Sequence, residues 1–183
     1  MAVRKVQVVC PPYLTTGGPE ALHQLVYAAR SQGIDARIVY LPKKEGAPPP
    51  EPAEPYKIYN VEIDENLEDE PGVVVLVPEL ETRLLKGLKH AIKAIWWLSI
   101  DHYLDLIRQE KRKRIKHWLG LNETFRVDRP DLSVWHFAQS EYARKFLEGH
   151  GLKKVRLLTD FLRDDFFAAI EQSKLAPRRL RRV

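Results

Sequence analysis

Residues 73–77 read VVVLV, five apolar side chains in a row with no polar position among them. Valine is stiff at χ1 and suits a pleated strand. A strand that alternates polar and apolar residues needs cover on one face only, whereas a strand apolar at every position must be covered on both. A parallel sheet with helices above and below provides that cover, so this run alone points to an α/β fold.

The flanking sequence repeats the theme. Lys5 to Cys10 is Val-rich and stops at Pro11-Pro12, which have no N–H to give a central ladder. Pro19 to Gln32 carries Leu22, Leu25, Val26 and Ala29 at helical spacing, with Pro19 suited to the first helical position and Gly33 to the stop. Asp35 to Leu41 is a second strand, so the two strands should be parallel and joined by a right-handed crossover. Further along, the pattern predicts a short strand at Tyr56 to Asn60, a helix at Pro78 to Lys86, a strand at Ala91 to Leu98 and a polar helix at Asp101 to Leu119. A strand follows at Val134 to Ala138, then a helix at Ser140 to Glu148 under a serine cap, closed by Gly149 and Gly151. Val155 to Leu158 is the last strand, and Asp164 to Ile170 the last helix. The predicted fold is a doubly wound, mainly parallel α/β domain over residues 1–170, Rossmann-like, with helices on both faces. Residues 42–55, rich in proline, form a surface loop within it, and 171–183 a basic tail.

Composition narrows the functional classes. A chain of 183 residues, 44% apolar and 30% charged, holds a core that needs no metal or disulfide staple. Cys10 is the only cysteine, which excludes an intrachain disulfide and a cysteine-rich zinc site. His90, His117 and His150 have no ligand spacing, so no metal site is expected. The net charge of +5 is concentrated in RQEKRKRIK (108–116) and the terminal PRRLRRV. Trp118 beside the first of these invites a nucleic-acid reading, but a solvated helical face is the usual cause of such a run and no nucleic-acid signature accompanies it. No apolar stretch approaches a membrane span, so the expected location is the cytoplasm, with basic residues able to touch the anionic inner membrane face.

In an open parallel sheet, ligands bind beyond the carboxyl ends of the strands. That rule selects Thr15 to Glu20, Pro78 and Glu79, Ser99 to His102, Gln139 to Tyr142, and Asp160. Gly17 and Gly18 let a backbone approach a ligand, and the helix after them presents unpaired N–H groups and a positive dipole end that suit phosphate. The same residues serve equally as a tight strand-to-helix turn with Glu20 offsetting the dipole. Glu20 and His23, three apart, form either an acid–base pair or a helix–sheet boundary satisfied internally. Asp101 can accept a proton from a hydroxyl, or can cap the helix it precedes, and the cap is favoured. His136 within a strand reads as core, as do Trp96 and Trp97 on opposite faces of theirs. Neither G-x-G-x-x-G nor G-x-x-x-x-G-K-[ST] is present, which leaves dinucleotide binding a minor alternative.

The segments CPPYLTTGGPEALHQLVYAARSQGIDARIVY, VVVLVPEL, IWWLSIDHY, HFAQSEYARKFL and LLTDFL together resemble the N-terminal half of bacterial glycosyltransferases with the two-domain GT-B fold. GGPE-x-x-H-Q and Q-S-E-Y-A are the most specific pieces. The resemblance implies half of a GT-B fold, on the side that receives the acceptor. Gly17 and Gly18 would approach the donor diphosphate, Glu20, His23, Ser99 and Asp101 would line the acceptor side, and Ser140, Glu141 and Tyr142 would begin a helix at the cleft. It implies no cofactor beyond a nucleotide sugar as co-substrate, and a sugar or lipid-linked acceptor in bacterial polysaccharide or glycoconjugate synthesis. Relatives of this kind continue into a donor-binding domain, whereas this sequence stops in SKLAPRRLRRV, so a second chain supplying that half is one expectation. Asp101 and His23 are the candidate catalytic residues under this reading. The competing readings are a non-catalytic α/β binding module and an RNA-binding accessory protein that uses Arg112 to Arg114.

Overall fold

The VVVLV run lies inside a strand, Val73–Pro78, whose six residues are all buried. The computed structural model that contains it describes residues 2–41, 50–112, 124–128, 131 and 133–161. Within them six strands form one all-parallel sheet: β1 (Lys5–Cys10), β2 (Ala36–Tyr40), β3 (Val73–Pro78), β4 (Ile92–Trp97), β5 (Trp135–Ala138) and β6 (Arg156–Leu157). Their spatial order is β2-β1-β3-β4-β5-β6. Three α-helices accompany them among the described residues: α1 (Gly17–Ser31), α2 (Ile100–Arg112) and α3 (Glu141–Gly149). The fold is the expected α/β, Rossmann-like one.

The pleat divides each strand between two cores. Val8, Cys10, Ile38, Tyr40, Val74, Leu76 and Trp96 meet Ala21, Leu22 and Val26 of α1. Val9, Val73, Val75, Val77, Ile95 and Trp97 meet Ile100, Tyr103 and Ile107 of α2 and Ala143 and Leu147 of α3 on the opposite side. The adjacent tryptophans thus serve different layers, each almost fully buried. Each indole N–H has a partner: Trp96 donates to the Leu158 carbonyl at 2.8 Å and Trp97 to His136 Nδ1 at 3.2 Å. With those donors satisfied, burial of each ring contributes several kcal/mol, at roughly 25 cal/mol per Å² over about 200 Å².

The acidic stretch before β3 serves the opposite end of the sheet from the crevice. Lys5 and Gln7 point to the same side as Val9, where Asp64, Asn66 and Glu68 meet them. Burial alone would lower the Lys5 ammonium, but the carboxylates of Asp64 and Glu68 outweigh it and hold the group above its ordinary value. Gly72 completes the turn into β3 at φ 83°, with the Ala2 carbonyl 3.2 Å from where a Cβ would stand, so both conformation and space require glycine there.

Three expectations are corrected. Tyr56 to Asn60 is not a strand: Glu54–Tyr59 forms a 3₁₀ turn, with Pro55 at its start and Asn60 ending it at φ 42°. Residues three apart eclipse in a 3₁₀ turn, and this one buries Tyr56 and Tyr59 together. The helix expected from Pro78 is a shorter 3₁₀ turn, Thr82–Gly87, because Pro78 is still in β3, paired in register with Trp96. Finally, α1 begins at Gly17, so Pro19 occupies its third position, where the missing N–H costs nothing because first-turn amides have no intrahelical acceptor. Gly33 at φ 77° does close α1. Ser140 Oγ does cap α3, accepting from the Ala143 N–H at 3.2 Å. The helix expected at Asp164 to Ile170, the tail 171–183, residues 42–49 of the proline-rich loop, and 113–119 of the basic helix lie outside the described residues.

Candidate functional site

The chain leaves β1 for β2 on one side and returns to β3 on the other, so the loops after β1 and β3 diverge at a topological switch point. A cavity of about 480 Å³ opens there, within the range that holds small ligands. Its walls come from five strand ends. The β1 loop contributes Leu14 and Thr16 to Pro19, the β3 end Pro78 to Leu80, the β4 end Leu98, Ser99 and His102, the β5 end Gln139, and the β6 end Asp160. Each group selected from the sequence by the strand-end rule has a member on this wall.

Thr16 precedes α1 in extended conformation and its side chain makes no cap bond. The first helical hydrogen bond runs from the Glu20 N–H to the Thr16 carbonyl at 3.2 Å. Helix geometry therefore supplies no acceptor for the Gly17 and Gly18 amides, and Pro19 has none to offer. Neither glycine has positive φ. A Cβ on Gly17 would meet nothing within 4 Å, and one on Gly18 only Leu98 Cδ1 at 3.7 Å. The fold itself thus does not demand glycine at either position, and what the two missing side chains leave is open cavity wall.

Glu79 is 2% exposed, and its carboxylate accepts the N–H of Leu98 at 2.9 Å and of Ser99 at 3.2 Å. Burial pushes its carboxyl up, and those backbone donors offset part of the effect. This pins the β3 end to the β4 end. Ser99 in turn caps α2, its Oγ accepting from the His102 N–H at 3.2 Å. The cap is therefore Ser99, not Asp101, which is exposed in the first turn and does not line the cavity. His102, one residue on, does. Reading Ser99 as the cap was the sequence signal that would have brought His102 forward. The apolar walls Leu14, Leu80 and Leu98 had no such signal.

His23 does not reach the cavity. It is 1% exposed, with Nδ1 2.7 Å from the Pro19 carbonyl and Nε2 2.8 Å from the Tyr40 hydroxyl. A carbonyl only accepts, so Nδ1 carries the proton and Nε2 accepts from Tyr40. Burial lowers its pKa, disfavouring the imidazolium. Both nitrogens are spent on the fold, so the internally satisfied reading describes this residue. Glu20 likewise faces the 3₁₀ turn, accepting from the Tyr59 hydroxyl at 3.0 Å. Tyr56 donates to the Thr16 carbonyl at 2.8 Å, bracing the same helix end. Glu141 pairs with Arg144 at 2.7 Å, and Ser140, Glu141 and Tyr142 are exposed beside the cavity's Gln139 without lining it.

The segment after β6 returns across the sheet. Leu158 accepts from Trp96, and Gln24 of α1 grips the Phe161 backbone, donating to its carbonyl at 3.0 Å and accepting its N–H at 3.4 Å. Asp160 is carried to the cavity by this strap. Among the described residues no cluster of three or more His, Cys, Asp or Glu is arranged to hold a metal, and no helix is long and apolar enough to cross a membrane. Cys10 is buried and its thiol is pushed up to about 12, far from the reactive thiolate range. Compared with protein-family models, curated proteins and solved structures, the chain has no match.

Proposed function

We propose that the chain forms the acceptor-side domain of a GT-B glycosyltransferase, which transfers a sugar from a nucleotide-sugar donor to an acceptor hydroxyl. The observation that carries this reading is the roomy switch-point cavity with two glycines on its wall, at the start of a helix whose N-cap side chain makes no cap bond, their amides having no partner among the described residues. A helix N-terminus carries about half a positive charge, and oxyanions bind such amides without a side chain between. In this reading Gly17 and Gly18 steady the leaving diphosphate as its charge grows. The apolar walls from Leu14, Leu80 and Leu98 exclude water, and Ser99, His102 and Asp160 supply hydrogen bonds to the acceptor. His102 replaces His23 and Asp101 as the candidate base, being the imidazole on the cavity wall. Most donor contacts belong to a second domain, supplied by further sequence or by another chain.

A second reading, a binding module without catalysis, is favoured by the internal use of Glu20 and His23. Titration with a panel of nucleotide sugars, with and without candidate acceptors, followed by calorimetry, separates the two. The enzyme reading expects weak, saturable binding of one nucleotide sugar, competed by its nucleoside diphosphate. Absence of any nucleotide-sugar binding sinks it, and tight binding by this chain alone contradicts the division of labour between domains.

A further inference from the structure

At the amino ends of β5 and β6, the far end of the sheet from the crevice, lies a smaller hollow of about 190 Å³. Trp135, His136 and Phe137 wall it, and Lys153, Lys154 and Arg156 stand around it. Arginines elsewhere, among them Arg4, Arg37, Arg126 and Arg144, each have a carboxylate partner. Arg156 instead lies over the Trp135 ring, 5.9 Å from its centroid, and among the described residues neither it nor the two lysines meets a carboxylate. This cation–π contact holds the guanidinium beside the ring while its N–H groups can still meet an oxyanion.

The three cations are held together by the fold. Leu152 and Val155, 3% and 7% exposed, anchor the turn in the core and leave Lys153 and Lys154 outside. Lys154 adopts φ 64°, a conformation that costs a lysine and that glycine would adopt freely. Asp131, whose charge bears on His136 and Lys93, is bonded to the Ser133 N–H and hydroxyl and does not pair with the three. Trp135, 46% exposed at the start of a strand, offers a flat apolar surface beside them.

We propose that this hollow binds a phosphate group, gripped by Lys153, Lys154 and Arg156, with the remainder of its carrier against Trp135. The volume suits a phosphate with a small attached group rather than a whole nucleotide sugar. The carrier is either a free phosphate ester or a phospholipid headgroup. The site is independent of the switch-point cavity.

Calorimetry with inorganic pyrophosphate, and flotation with phosphatidylcholine vesicles with and without phosphatidic acid, test the full chain in two arms. Binding in the first arm alone assigns a soluble ligand, and binding in the second alone a lipid. The triple change Lys153→Gln, Lys154→Gln, Arg156→Gln is expected to weaken binding roughly tenfold or more. Both arms are run on the Gly17→Leu chain as well, which removes diphosphate binding at the switch-point cavity; loss of Lys89 and Lys145, exposed elsewhere, should leave the remaining binding intact. Lys154→Gly relieves the backbone, so it should fold at least as well as the parent and still bind more weakly. No binding in either arm, or equal weakening in the Lys89/Lys145 control, overturns the proposal.

Discussion

Replacing Gly17 separates what the fold needs from what a ligand needs. A Cβ at this position meets nothing within 4 Å and the backbone φ suits any L residue, so Gly17→Ala introduces no clash and no strain. Glycine in a helix costs about 0.5–1 kcal/mol relative to alanine, and the first turn feels the lower part of that range. For a chain of this size the substitution should therefore hold or raise Tm, by about 1–2 °C at about 0.5 kcal/mol. The ligand side runs the other way. A hydrogen bond to a charged group is worth about 1.5–3 kcal/mol, and tenfold in affinity corresponds to about 1.4 kcal/mol. Screening the Gly17 and Gly18 amides with a larger side chain should thus weaken nucleoside diphosphate binding by roughly ten- to a hundredfold, with Gly17→Leu worse than Gly17→Ala. Thermal unfolding by circular dichroism and calorimetric titration with uridine and guanosine diphosphates read the two effects separately. The reasoning is refuted if binding is the same across the series, or if affinity falls only in proportion to lost stability.

Two further outcomes follow from buried polar groups. His136 is held at about 4 against an ordinary 6.5, because burial penalises the imidazolium. The unfolded chain therefore binds the proton first as pH falls. The stabilising effect is whole above pH 6.5 and is lost between 6.5 and 4, amounting to roughly 3 kcal/mol. Denaturant unfolding of His136→Gln, which keeps an acceptor for Trp97, should show a shallower decline over that window than the parent; parallel curves would contradict this. Gln24→Leu removes both bonds to the Phe161 backbone and the one to the Tyr59 hydroxyl, each worth about 0.5–1.5 kcal/mol. Hydrogen exchange should accelerate at Phe161 while β1 and β3 stay protected, and unchanged exchange at Phe161 would count against the strap.

β1 and β3 were legible because their Val-rich runs suit strands covered on both faces, and the cavity loops because a parallel sheet dictates where loops diverge. Side-chain direction at the helix start was less so. Helical spacing puts Glu20 and His23 on one side of α1, but not whether that side faces solvent or a neighbour; the answer lies in Tyr40 and Tyr59, on other elements. The 3₁₀ turn at Glu54–Tyr59 was hidden for a related reason, since its tyrosines are ordered by tertiary contact with α1 rather than by local propensity. Asp101 was preferred to His102 because one residue of helix phase decides which of two neighbours meets the cavity.

The grip of Gln24 on Phe161 spans 137 positions of sequence with one side-chain amide. β6, by contrast, holds its neighbour through a ladder of two residues. A pull transmitted from beyond Phe161 therefore loads the amide clip and the Trp96 indole before it reaches the weakest rung of the sheet. In an optical trap, the force at which this clip yields should therefore be read as a step before the one at which β6 peels away.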